Sequence, residues 1–304
     1  MSLDLPATAL RGSYTPLVTP FKDGAVDYET YALLLERQID GGSHGVVVTG
    51  TTGEPSLLTT AERIELLQTA VVAARGRIAV VAATGSQSLA ETLVLSTEAE
   101  KAGADALLVV TPYYIKPPQR GLVTYFETVA GRVALPVMIY HIPGRAAVDV
   151  SVDSVQAITD AVPNLVGMKH ASPDLGYVAR LRRAMGPDFR VFVGLEELSL
   201  PLLAIGAAGL MNAVGNLVPD RVAALSNAVA ANDLDAARVV NDSLAELNEA
   251  VFWDTNPIPM KYLMKRMGLL DDNEHRLPMM RAGTELEARL DALADRTGLF
   301  AASV

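Results

Sequence analysis

One lysine is set apart by its surroundings. Of Lys22, Lys101, Lys116, Lys169, Lys261 and Lys265, only Lys169 falls inside an apolar, strand-like run, Leu165-Val-Gly-Met-Lys-His-Ala171. Lysine is seldom fully buried without a partner or a task. An amine withdrawn from water favours its neutral form, which adds to a carbonyl carbon. The competing reading is a lysine paired with a core carboxylate. Tyr140 ends the preceding apolar run. A phenol beside an amine can pass protons while a carbinolamine forms and loses water, whereas a core tyrosine would only send its hydroxyl to water. Tyr113-Tyr114 carries the same two readings, with a subunit contact as a third for Tyr113.

Two further groups suit carboxylates. Gly50-Thr-Thr-Gly53 offers a tight turn with two hydroxyls and backbone N–H groups ahead of a helix, suited to a carboxylate or phosphate. No Gly-Lys-Ser/Thr follows, so it is no Walker loop; the plain reading is an ordinary turn. Arg145 follows Pro143-Gly144 on a stiff turn, where its guanidinium could clamp a carboxylate in bidentate fashion or simply lie on the surface. The four histidines, His44, His141, His170 and His275, show no metal-binding spacing, although His141 and His170 end adjacent strands. We therefore expect no metal. The absence of cysteine removes thiolate sites, iron–sulfur clusters and cysteine nucleophiles.

The elements that must position these groups repeat regularly. Strands are predicted at Ser13–Thr19, Gly45–Thr49, Ile78–Ala83, Ala106–Thr111, Pro136–His141, Leu165–His170, Arg190–Gly194 and Gly209–Val214. They recur at the spacing of βα units and are apolar on both faces, as parallel strands under helices are. The intervening segments read as helices. One spans 60–75 with Ile64, Leu67, Val71 and Val72 on a stripe, and another spans Ser88–Ala102, opened by a capping box of Ser88 and Glu91 and stopped by Gly103. Eight units point to a (β/α)8 barrel, whose active site lies at the carboxyl ends of the strands. A doubly wound sheet is the alternative, but no Gly-x-Gly-x-x-Gly follows the first strand. After about residue 218 only helices are predicted, at 221–231, 233–252, 257–267 and 278–294. The expected division is a barrel over residues 1–231 and a C-terminal helical domain over 232–304.

The 304 residues carry a net charge of −10, which disfavours a nucleic-acid groove. No apolar run has the roughly 20 residues of a membrane span and no leader pattern opens the chain. We expect a soluble, cytoplasmic protein that binds neither nucleic acid nor membrane.

With these residues in hand, the chain resembles the dihydrodipicolinate synthase / N-acetylneuraminate lyase family of pyruvate-dependent class I aldolases. The likeness runs from Thr15-Pro-Leu-Val-Thr-Pro-Phe21 through Gly50-Thr-Thr-Gly-Glu54, Thr111-Pro-Tyr-Tyr114, Tyr140-His-Ile-Pro-Gly-Arg145 and Gly167-Met-Lys169 to Asn256-Pro-Ile-Pro-Met-Lys261. The resemblance implies a (β/α)8 barrel with a C-terminal helical extension, assembled as a homotetramer, a dimer of dimers. It also implies a covalent imine between Lys169 and pyruvate, with no external cofactor. Tyr140, Thr51 and Tyr114 match a proton relay, with Tyr114 supplied across a subunit contact. Thr51 and Thr52 match the residues that hold the pyruvate carboxylate, Arg145 the one that holds the carboxylate of aspartate semialdehyde, and Gly194 and Met211 further substrate contacts. The chain departs from the synthase pattern at His141 (usually Asn), His170 (usually Glu), Ile115 (usually Asn) and Ala146-Ala147 (usually Thr-Gly). We expect these at the mouth, where they would suit another aldehyde or 2-oxo acid, such as a 2-keto-3-deoxy sugar acid. A barrel that binds pyruvate without turnover is a third reading. Pro55, Thr60 and Arg63 depart from the pattern of lysine-inhibited members.

Overall fold

The computed structural model describes residues 5–6 and 8–300. Eight parallel strands close into a barrel: β1 (Gly12–Pro16), β2 (Gly45–Val48), β3 (Ala79–Ala83), β4 (Ala106–Val110), β5 (Val137–His141), β6 (Leu165–His170), β7 (Arg190–Val193) and β8 (Gly209–Leu210). All eight predicted strands are present, most shortened by a residue or two. The last keeps only two residues, because the chain turns into a 3-10 helix at Ala213–Asn216.

Helices α1 (Tyr28–Asp40), α2 (Thr60–Ala74), α3 (Leu89–Ala102), α4 (Gln119–Ala130), α5 (Val152–Ala161), α6 (Leu175–Met185), α7 (Ser199–Ala204) and α8 (Pro219–Ala230) cover the barrel. The reciprocal capping box stands at Thr59 and Glu62 on α2. At α3, Ser88 accepts from the Glu91 N–H, but the Glu91 carboxylate takes the Ser86 hydroxyl at 2.6 Å instead of closing the predicted box. The buried stripe of α2 is Arg63, Leu66, Leu67, Ala70 and Ala74. It is rotated from the predicted one, and Val72 is exposed.

Strand alternation sorts every side chain to one of two cores. Tyr14, Val47, Val81, Leu108, Met138, Tyr140, Phe192 and Met211 fill the barrel's interior. Val46, Val48, Leu107, Val109, Ile139, Met168, Val191 and Val193 face the helices. Tyr140 pairs with Lys169 in register, and His141 with His170. Each pair therefore shares a face, and the two pairs occupy opposite faces.

Beyond α8 lie α9 (Leu234–Ala250), α10 (Ile258–Arg266) and α11 (Thr284–Thr297). The connections between them return to the barrel mouth. Arg276 pairs with Glu62 at 2.6 Å and donates to the Leu57 carbonyl at 3.1 Å. The Gly24 N–H donates to Glu274 at 2.7 Å, within a small hairpin of Phe21–Lys22 and Ala25–Val26 that went unpredicted.

Candidate active site

Lys169 projects inward from β6 and is 5% exposed, with its Nζ 4.5 Å from the centre of the Tyr140 ring. Among the described residues no carboxylate stands within ion-pair distance of it. The amine is therefore buried without a salt bridge, and a cavity of about 230 Å³ opens beside it. Of the sequence-predicted site residues, Thr51, Thr52, Tyr140, Arg145, Lys169, Gly194 and Met211 all line this cavity. A second hollow, of about 650 Å³, shares Thr51, Tyr140, Arg145 and Asn256 with the first and continues to Tyr113 and Glu54. The inner chamber thus has a wider vestibule.

The hydroxyls of Thr51 and Tyr140 are 3.3 Å apart, a contact through which a proton can pass. Thr51-Thr52-Gly53 forms a one-turn 3-10 helix after β2. Glu54 leaves it in a left-handed conformation, with φ 55°. Its buried carboxylate receives Lys261 Nζ at 3.0 Å and His275 Nδ1 at 2.9 Å. Lys261 is fully buried and also donates to the Thr19 and Glu274 carbonyls, at 2.9 and 2.5 Å. Burial pulls its amine below the ordinary lysine range, opposed by Glu54. This second buried lysine is pinned on three sides, so it braces the turn and cannot act as a nucleophile.

Gly194 shows why that strand end needs glycine. A Cβ there would lie 2.8 Å from Lys169 Cε and 2.9 Å from Ala171 Cβ. Two residues on, Glu196 lines the chamber and is fully buried, accepting the Ala213 N–H at 2.5 Å. Burial pushes its carboxyl up to about 7, held back by that N–H and by the charge of Lys169. Arg145 sits on a one-turn helix, Pro143–Ala146, and makes no ion pair among the described residues. Tyr114 does not enter the chamber of its own chain; it is 83% exposed with φ 73°. Ile115 is exposed beside it, whereas Ala146 is buried and lines the vestibule.

The two histidines require correction. His141 and His170 are not at the mouth but face the helix layer, one residue out of phase with Tyr140 and Lys169. Their Nδ1 atoms are 3.2 Å apart, His141 Nε2 reaches Asp149 at 3.2 Å, and both rings stack on Tyr177 of α6 at 4.9 and 5.0 Å. Burial and the neighbouring His141 hold His170 down to about 4. Of the other strand-end residues, Asn212 is tied to Ser199 at 2.6 Å and Thr84 to Ser96 at 2.9 Å, away from the chamber. Among the described residues no three His, Asp or Glu side chains gather as a metal ion would need.

Among the chamber residues that carried no site assignment from the sequence are Glu196, Phe252 and Asn256. Glu196 stands among the strand-end residues, where its type was visible. Phe252 and Asn256 come from the extension, and nothing local places them beside Lys169.

The model of the dihydrodipicolinate synthetase family matches residues 9–296. The chain is 46% identical over 291 residues to 4-hydroxy-tetrahydrodipicolinate synthase of Thermus thermophilus, covering 95% of this chain and 97% of that one. The crystal structure of dihydrodipicolinate synthase from Aquifex aeolicus is similar at a TM-score of 0.93 and 38% identity, over 95% of this chain and 98% of that one. So is the Acinetobacter baumannii enzyme complexed with pyruvate, at 0.93 and 34%, over 96% and 100%. A match across nearly the whole chain, on the same closed barrel, makes this protein a member of the dihydrodipicolinate synthetase family.

Proposed function

We propose that the chain is a 4-hydroxy-tetrahydrodipicolinate synthase, a class I lyase that condenses pyruvate with L-aspartate 4-semialdehyde. The observation that carries this reading is Lys169, an inward, buried amine without a carboxylate partner, in a chamber walled by the paired hydroxyls of Thr51 and Tyr140. The similarity to synthases, one of them crystallised with pyruvate, supports it.

The neutral amine adds to the ketone carbon of pyruvate, and the carbinolamine loses water to an iminium. Tyr140 delivers the proton that the departing hydroxyl needs, and Thr51 returns it through their contact. The iminium draws electrons from the methyl group, which gives up a proton and becomes an enamine carbon; this carbon attacks the aldehyde. The amine of the semialdehyde then closes onto the iminium carbon and releases Lys169. Thr51 and Thr52 hold the pyruvate carboxylate, Arg145 holds that of the semialdehyde, and Gly194 and Met211 shape the chamber around them. The lysine imine serves as the electron sink, with no external cofactor.

Tyr114, exposed and in a strained backbone conformation, completes the relay in a neighbouring subunit of a homotetramer. We divide the described residues into a barrel up to residue 231 and a C-terminal helical domain from 232 onward, whose Phe252 and Asn256 reach the chamber. We place the enzyme in the cytoplasm; no helix among the described residues is long and apolar enough to cross a membrane.

Borohydride trapping followed by an aldehyde panel tests the reading. Pyruvate should add covalently to the native chain and not to Lys169→Ala, and aspartate semialdehyde should be consumed. Turnover only with sugar-acid substrates would reject the synthase assignment. Trapping without turnover on any aldehyde would leave a pyruvate-binding barrel.

A further inference from the structure

The extension reaches the turn that holds Thr52 through Asn256. Asn256, just ahead of α10, donates from Nδ2 to Thr52 Oγ1 at 3.0 Å, joining residues 204 positions apart. Both side chains are buried, and both line the chamber that holds Lys169. A threonine hydroxyl has one proton and two lone pairs. The amide occupies a lone pair, and Thr52 Oγ1 makes no other hydrogen bond among the described residues. Its proton is therefore left for a ligand. The same extension holds the end of that turn, through Lys261 and His275 on Glu54.

We propose that Asn256 is a positioning residue for the 2-oxo acid: by donating to Thr52 it commits that hydroxyl to donate in turn to the ligand's carboxylate. The inference rests on the reading that pyruvate binds here through Thr52, and it makes the extension a working part of the binding site. It also depends on polarity. An asparagine that merely braced the turn would serve as well by accepting. An acceptor at position 256 would instead capture the Thr52 proton and turn its lone pairs towards the substrate carboxylate.

The test is borohydride trapping against pyruvate concentration, read by intact mass, for the native chain, Asn256→Ala, Asn256→Asp, Thr52→Val and the Thr52→Val/Asn256→Ala double variant. Each single substitution should raise the half-saturating pyruvate concentration roughly tenfold, the scale of one hydrogen bond to a charged group. The trapping rate at saturation should fall by a smaller factor than the half-saturating concentration rises. Asn256→Asp, equal in size and opposite in polarity, should be at least as impaired as Asn256→Ala, and it carries the comparison if the alanine chain does not fold. The double variant should be no worse than Thr52→Val, because Asn256 acts through Thr52. Penalties that multiply in the double variant, or an Asn256→Asp chain with native half-saturation, would overturn the inference while leaving the enzyme assignment intact. No adduct on the native chain would overturn both.

Discussion

Replacing Gly194 with alanine should disable the amine without unfolding the protein. Gly194 does not have a left-handed backbone, so alanine is not strained there in itself. The added methyl would stand 2.8 Å from Lys169 Cε, 2.9 Å from Ala171 Cβ and 3.2 Å from the His170 carbonyl oxygen, where ordinary contact begins at 3.4 Å. Ala171 has no side-chain freedom with which to withdraw, so the lysine stem must yield by roughly 0.6 Å, the shortfall in that contact. A misplacement on the order of 1 Å costs about a hundredfold in rate, and overpacking costs about 1–3 kcal/mol of stability. We therefore expect pyruvate trapping at saturation to slow by roughly 10- to 100-fold in a chain that is still folded at 25 °C. Gly144 lines the same chamber, but a Cβ there would have nothing within 4 Å; Gly144→Ala should trap at close to the native rate. The assays are trapping kinetics by intact mass and urea unfolding of all three chains. A Gly194→Ala chain that traps pyruvate within twofold of native would refute the steric reasoning.

Other perturbations test the surroundings. Lys261→Met should cost about 3–5 kcal/mol, because it strips a buried carboxylate of its cation; a loss below 1 kcal/mol in denaturant unfolding would show that Glu54 does not depend on it. His170 protonates near 4 in the folded chain against 6.5 as a free side chain. Between those values the unfolded chain binds the extra proton, so stability falls as pH drops from about 6.5 to 4. His170→Phe, which keeps a ring against Tyr177, should flatten that slope, and unchanged slopes in urea melts at pH 4.5 and 7 would contradict the assignment. Glu196 behaves oppositely. Its folded value near 7 exceeds the ordinary 4.5, so its contribution is complete below 4.5 and lost as pH rises through 7. Glu196→Gln should therefore gain stability relative to the native chain on going from pH 5 to pH 8; an identical difference at both would argue that Glu196 is charged throughout.

Much of this was legible from the sequence because strands and tight turns are local. β-branched runs at βα spacing announced the barrel, and a lysine inside such a run announced the buried amine. What escaped was set by long-range or angular information. Lys261 sits in a helical segment and becomes buried only because Glu54, over 200 residues away, meets it. His141 and His170 were placed at the mouth by counting strand ends. The two-residue alternation already in Tyr140-His141 and Lys169-His170 puts one member of each pair inside and the other outside. Val72 was assigned to the buried stripe of α2 because apolar type was weighed above angle. Arg63 belongs to the buried stripe on the opposite face, its guanidinium donating to the Ala83 carbonyl at 3.0 Å.

The wall contributed by Phe252 and Asn256 has a consequence for biosynthesis. A ribosome emits Lys169 well before Phe252 and Asn256, and at about 5–20 residues per second the interval lasts several seconds. During that time the nascent barrel carries a lysine whose chamber lacks one side. On the proposed mechanism, selective condensation at Lys169 should therefore await the extension, and a chain that ends before residue 252 should display the amine without that wall.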